Sequence, residues 1–199
     1  FGLLMAYLSA APFVLRNVLG MGTVAYTAVF GLCGATVTVT IAVAASLVRR
    51  FSQVRQVRVG LIAVLVVDTV FAAVCLMWLR EPVTGPERMP LLVAVVALFL
   101  AHVACLGLAM GNAPALALDR TGRWAGTGSA LLGFLQFVVG GLVSPLVGLT
   151  GEASGVAFGV VIVGVSVIAN ILAVFGLHER GEKQRLAAEE AERRQRLGQ

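Results

Sequence analysis

The sequence predicts an all-α integral membrane protein with six transmembrane helices. Three observations carry that prediction. Of the 199 residues, 59% are hydrophobic and 13% charged, with a mean hydropathy of +0.95, whereas a soluble domain carries about 25% charged residues. The apolar residues fall in long blocks separated by short charged punctuation, each close to the ~20 residues that a helix needs to cross a hydrocarbon core. None of these blocks alternates apolar with polar residues as the ~10-residue strands of a membrane barrel do.

The expected spans are residues 1–15, 23–48, 59–79, 91–117, 124–149 and 155–177. The first, "FGLLMAYLSAAPFVL", lacks the basic start and small-residue cleavage site of a signal peptide. Because it opens at Phe1 in mid-block, the expectation is a helix cut by the start of the sequence. Arg49, Arg50, Arg55 and Arg58 separate the second span from the third, and Arg80 and Arg88 separate the third from the fourth. Arg120 and Arg123 lie between the fourth and fifth. The connections are short, so neighbouring helices run antiparallel.

Lys and Arg set the orientation. Twelve of them fall at the 49–58 loop, the 119–123 loop and the C-terminus, against three (Arg16, Arg80 and Arg88) at the other ends. By the positive-inside bias, the crowded side is cytoplasmic, which predicts a multi-pass protein of the cell (inner) membrane with its C-terminus in the cytoplasm. The +5 net charge therefore reports topology. No aromatics interleave with the basic residues as a single-stranded nucleic-acid surface requires, so no nucleic-acid partner is expected. Residues 178–199 form a charged cytoplasmic tail, in which Glu189–Arg193, Glu190–Arg194 and Glu192–Arg196 are acid-first pairs four residues apart. Such pairs support a solvated helix.

Covalent chemistry has little to build on. Cys33, Cys75 and Cys105 lie far apart inside apolar blocks, which argues against a disulfide framework or a metal site. No HExxH, no serine elbow and no paired intramembrane aspartates occur, so neither enzyme activity nor a cofactor is expected.

Polar residues within the spans are the candidate functional groups, because burying them in lipid is costly. Asp68 in the third span and His102 in the fourth each lie 10 to 12 residues from the start of their helix, about 15–18 Å deep at the rise of a helix. A charge at the bilayer centre costs at least about 2.5–3.5 kcal/mol on insertion scales, and histidine titrates near neutral pH. The two are candidates for proton coupling, either as a pair or as separately satisfied groups. In the fifth span, Gly126, Ser129, Gly133, Gln136, Gly140 and Ser144 recur every three or four residues and form a stripe of small or polar side chains. Glycine and serine allow helices in lipid to approach closely. Such a stripe serves a static helix contact or a moving interface. Tyr7, Ser9, His102, Asn112 and Gln136 are the candidates for the wall of a substrate cavity.

Three stretches resemble a known family. "LGLAMGNAPALALDRTGRWAGTGSALLGFLQFVVGGLVSPLVGL" (Leu106–Leu149), "AYLSAAPFVL" in the first span and "FGLCGATV" from Phe30 are similar, in order and separation, to the Bcr/CflA-type drug efflux proteins. These belong to the drug:proton antiporter branch of the major facilitator superfamily. The resemblance implies the C-terminal six-helix half of a transporter in which two halves rock about a central site. It implies small hydrophobic substrates and protons as partners, together with the lipid bilayer and a missing N-terminal six-helix half. It also implies that the glycine span lies at the interface between halves. The family's proline before the motif asparagine is Gly111 here, with a proline at Pro114 instead, and its asparagine in the second span is Cys33. Proton coupling follows from the resemblance alone. An exporter of a small metabolite and a six-span membrane protein without transport activity remain as alternatives.

Overall fold

The computed structural model describes residues 1–119, 121–149 and 154–196, with side chains described through Gly176. Among the described residues the chain is helical and contains no strand. Helix α1 runs over Gly2–Pro12 and continues as a wider π-helical turn, Phe13–Val18. The cause is local: Pro12 lies inside the helix and has no N–H to donate, and π turns accommodate such breaks in the hydrogen-bond ladder. Then follow α2 (Thr23–Leu47), α3 (Gln53–Trp78), α4 (Arg88–Leu118), α5 (Ala125–Leu146, entered through a short 3-10 turn at Gly122–Trp124) and α6 (Val156–Arg196).

Five helices are long and apolar enough to cross a membrane, and Gly2–Val18 is a shorter apolar sixth. Two helices begin earlier than their apolar blocks. Ser52 caps α3 by accepting the Arg55 backbone N–H at 3.3 Å, so Arg55 and Arg58 lie on the first turns of the helix and not in a loop. Arg88 opens α4. Hydrophobicity marks where the lipid begins, whereas caps and backbone bonding mark where the helix begins. The α6 backbone continues past the apolar block to Arg196. The acid-first pairs of the tail lie outside the described side chains.

In α2, four threonines avoid exposing free hydroxyls to lipid. Thr27, Thr36, Thr38 and Thr40 each donate to the carbonyl four residues back, at 2.8–2.9 Å, as the bilayer demands of any polar group on a spanning helix.

Helix α4 is central. It packs against α2 on one side and α3 on the other, while α3 also packs against α6, and α1 rests on α5 and α6. Glycines set the closest of these approaches. A Cβ on Gly60 would sit 3.0 Å from the Cys105 carbonyl and the Ala109 nitrogen, and one on Gly107 would sit 2.8 Å from Thr40. Three fully buried rings, Phe71, Phe99 and Phe158, join α3, α4 and α6 through centroid separations of 4.7 to 5.8 Å. At the opposite end from the α1 start, Arg88 reaches back to the π turn, donating from Nε to the Leu19 carbonyl at 2.7 Å and from Nη2 to the Gly20 carbonyl.

Candidate functional site

Gln56, Gly60, Val64 and Asp68 follow one another at steps of four, so they share one buried face of α3. The facing side of α4 presents His102, Leu106, Ala109 and Asn112, all buried. The two helices run antiparallel, and their polar residues meet in two rungs. Asn112 Nδ2 donates to Gln56 Oε1 at 3.2 Å, and three turns along α3, His102 Nδ1 lies 2.6 Å from Asp68 Oδ1. Gly60 stands between the rungs and brings the backbones close enough for these short side chains to meet.

A third helix completes the Asp68 rung. Ser166 of α6 donates its hydroxyl to Asp68 Oδ2. Asp68, His102 and Ser166 have no exposed surface, so both carboxylate oxygens are engaged in a site closed to water. One atom is left over. His102 Nε2 is buried with no hydrogen-bond partner. An orphaned polar atom at such depth is rare and calls for a ligand, a proton or a water. Next to the cluster, the Tyr7 ring of α1 lies 6.1 Å from the imidazole and 5.3 Å from Phe99. Tyr7 and Cys33 of α2 belong to the same buried core. One turn further along α6, Asn170 Nδ2 donates at 2.9 Å to the Leu61 carbonyl of α3, a second polar tie between the same helices.

A separate cavity of about 700 Å³ opens among the start of α1, the early turns of α3, the second half of α4, α5 and the end of the apolar part of α6. Its wall includes Leu61, Leu106, Met110, Leu132 and Val165, with Pro114 at the α4 side. Among the described residues Gln136 is the single polar side chain on the wall, and none of the described lining side chains is charged.

Of the residues expected to line a substrate cavity, the structure brings only Gln136 to this one. His102 and Asn112 turn to α3 because Asp68 and Gln56 supply partners there. Tyr7 is buried among α1, α2 and α4, and Ser9 is half-buried on α1. The Asn112 amide also donates to the Leu108 carbonyl at 3.1 Å, and not to the Met110 carbonyl that Pro114 leaves without its helical N–H.

The α5 stripe is divided by its surroundings. Gly126 and Gly133 have no neighbour within 4 Å of a virtual Cβ, and Ser129 is exposed. Gly140 is buried against Met5 of α1, and Ser144 beyond it is half-buried. At Gly140 the flexible thioether side chain of the bundle's own α1 fills the notch, so this part of the stripe makes a contact within the bundle. The face that α5 leaves open carries large residues, with Phe134, Phe137 and Leu142 more than 60% exposed.

Inspection of polar residues one by one missed Gln56, Ser166 and Asn170. The signal was present as spacing: Gln56 lies three steps of four before Asp68, and Ser166 and Asn170 are one step of four apart.

Among curated proteins, an uncharacterized MFS-type transporter, YdgK of Bacillus subtilis (strain 168), is 30% identical over 172 residues, which is 86% of this chain and 40% of the relative. The likeness is to an MFS-type transporter and extends over most of this chain. The six-helix architecture is consistent with half of an MFS-type membrane protein. The chain spans about 40% of the length of this MFS-type relative. No family model matches the chain, and no solved structure matches it significantly.

Proposed function

We propose that this chain forms the C-terminal six-helix half of a Bcr/CflA-type exporter. It expels small hydrophobic molecules across the cell (inner) membrane by alternating access in exchange for protons, with its C-terminus in the cytoplasm. The cavity carries the reading. At about 700 Å³ it falls within the ~300–1,000 Å³ typical of sites for drug-sized ligands. Its apolar wall favours uncharged, hydrophobic cargo, since among the described residues no lining side chain would neutralise an anion or a cation. Gln136 offers an amide NH2 donor group and a carbonyl acceptor for orientation. The cavity lies toward the ends of the helices where the basic loops concentrate, the side from which an exporter loads.

The test uses the full-length protein carrying this chain, in proteoliposomes with an imposed pH gradient and a lumenal pH dye. Hydrophobic drugs are expected to trigger proton movement. Gln136→Leu is expected to weaken transport of hydrogen-bonding drugs about tenfold, the loss of one hydrogen bond in a dry site, while sparing purely apolar ones. Absence of proton movement with every drug would reject drug antiport.

A further inference from the structure

Asp68, His102 and Ser166 come from three helices and form a closed polar cluster in which one atom, His102 Nε2, is unpartnered. The titratable groups nearest the cluster are Tyr7 of α1, beside the imidazole, and Cys105 of α4, within electrostatic reach of Asp68. Cys33 of α2 shares the buried core with Tyr7, and among the described side chains α6 adds no titratable group. Among the described residues, Asp68 makes its one ion pair with His102.

Charge accounting restricts what this cluster can do. Burial disfavours net charge, so the resting site holds one exchangeable proton and is neutral overall. That proton can be drawn on the carboxyl or on the imidazole. In either drawing Nδ1 faces Asp68 and Nε2 carries a hydrogen. Removing one proton leaves a carboxylate held by Nδ1–H and the Ser166 hydroxyl, and leaves Nε2 with a bare lone pair. The proton therefore departs from Nε2 and returns there, while in both drawings one hydrogen stays in the bond between Nδ1 and Asp68.

We propose that Ser166, Asp68 and His102 form a one-proton exchange site, loaded and unloaded at His102 Nε2, and that Ser166 positions the carboxylate and sets the pH at which the proton leaves. The proposal rests on the transport reading and deepens it by assigning the coupling atom. The surroundings give the proton a direction. Phe71, one turn from Asp68 on α3, and Phe99, one turn from His102 on α4, pack with Phe158 as a buried apolar layer. Leu106, one turn along α4 from His102, and Val165, adjacent to Ser166, belong to the cavity wall. The Ser166 bond counts most in the released state, where the carboxylate charge is uncompensated, so losing it favours retention of the proton.

The test is nitrogen NMR of the imidazoles in the full-length protein as a function of pH. A His178→Gln background removes the other histidine of this chain, and the His102 signal is assigned by its loss in His102→Gln. The expected result is a titration in which Nε2 changes protonation while the hydrogen between Nδ1 and Asp68 is retained throughout. Ser166→Ala should move its midpoint up by about one pH unit, a tenfold change in proton affinity, and Ser166→Thr should restore it. Loss of the hydrogen between Nδ1 and Asp68 while Nε2 stays protonated, or a midpoint unchanged in Ser166→Ala, overturns the proposal. This readout needs no substrate. A titration of the expected form without drug-driven proton flux would therefore defeat the antiport reading and leave the exchange site standing.

Discussion

Gly140 of α5 lies so close to Met5 of α1 that a Cβ on the glycine would come within 2.6 Å of the Met5 Cγ. Gly140→Val is therefore expected to destabilise the helix pair by about 1–3 kcal/mol, the usual cost of overpacking, read as a lower thermal midpoint in detergent. Met5→Ala in the same chain should recover much of the loss, because the clash is with a side chain. Gly133→Ala should be silent, since nothing lies within 4 Å of its virtual Cβ. Equal damage from both glycine substitutions would contradict the α1–α5 packing described.

Arg88 binds two backbone carbonyls, those of Leu19 and Gly20, where α1 ends. Gly20 has φ +61, and a Cβ there would lie 3.2 Å from the guanidinium. Arg88→Ala leaves both carbonyls without this donor, and the expected cost is about 1.5–3 kcal/mol, the range for a hydrogen bond from a charged group. Arg88→Lys should recover only part, because a compact ammonium does not reproduce the fork of the guanidinium. Proteolysis at the 19–22 turn, compared between variants, reports the effect, and an unchanged cleavage rate would count against the clamp.

Asn112 and Gln56 form a buried amide pair between α4 and α3. A double-mutant cycle with Asn112→Ala and Gln56→Ala should give a coupling of about 0.6–1.7 kcal/mol, the range measured for interhelical hydrogen bonds in membranes. Additive losses would mean that the two side chains act separately, through the Leu108 and Phe51 carbonyls that they also contact.

Much of this protein is legible in one dimension. Apolar block length predicts spanning helices, because a bilayer leaves the backbone few other ways to satisfy its polar groups. The positions of Asp68 and His102 are also plain in the sequence, since an ionisable residue in an apolar run has no cheap explanation. The division of the α5 stripe is not legible. Gly126, Gly133 and Gly140 look alike as letters, yet only Gly140 meets another helix within the bundle.

What the sequence determined by itself is therefore the class of the molecule: six apolar helices, short connections and a basic side, each a property of local composition summed over about 20 residues. Which polar groups meet was decided by the tertiary structure. Asp68 and His102 are 34 residues apart, and Ser166 lies 98 residues beyond Asp68, so no local rule joins them. They are brought together by the antiparallel register of α3 and α4, by the close approach at Gly60, and by α6 packed along α3. In a medium without water, a buried carboxylate must find its partners on whichever helices that packing places beside it.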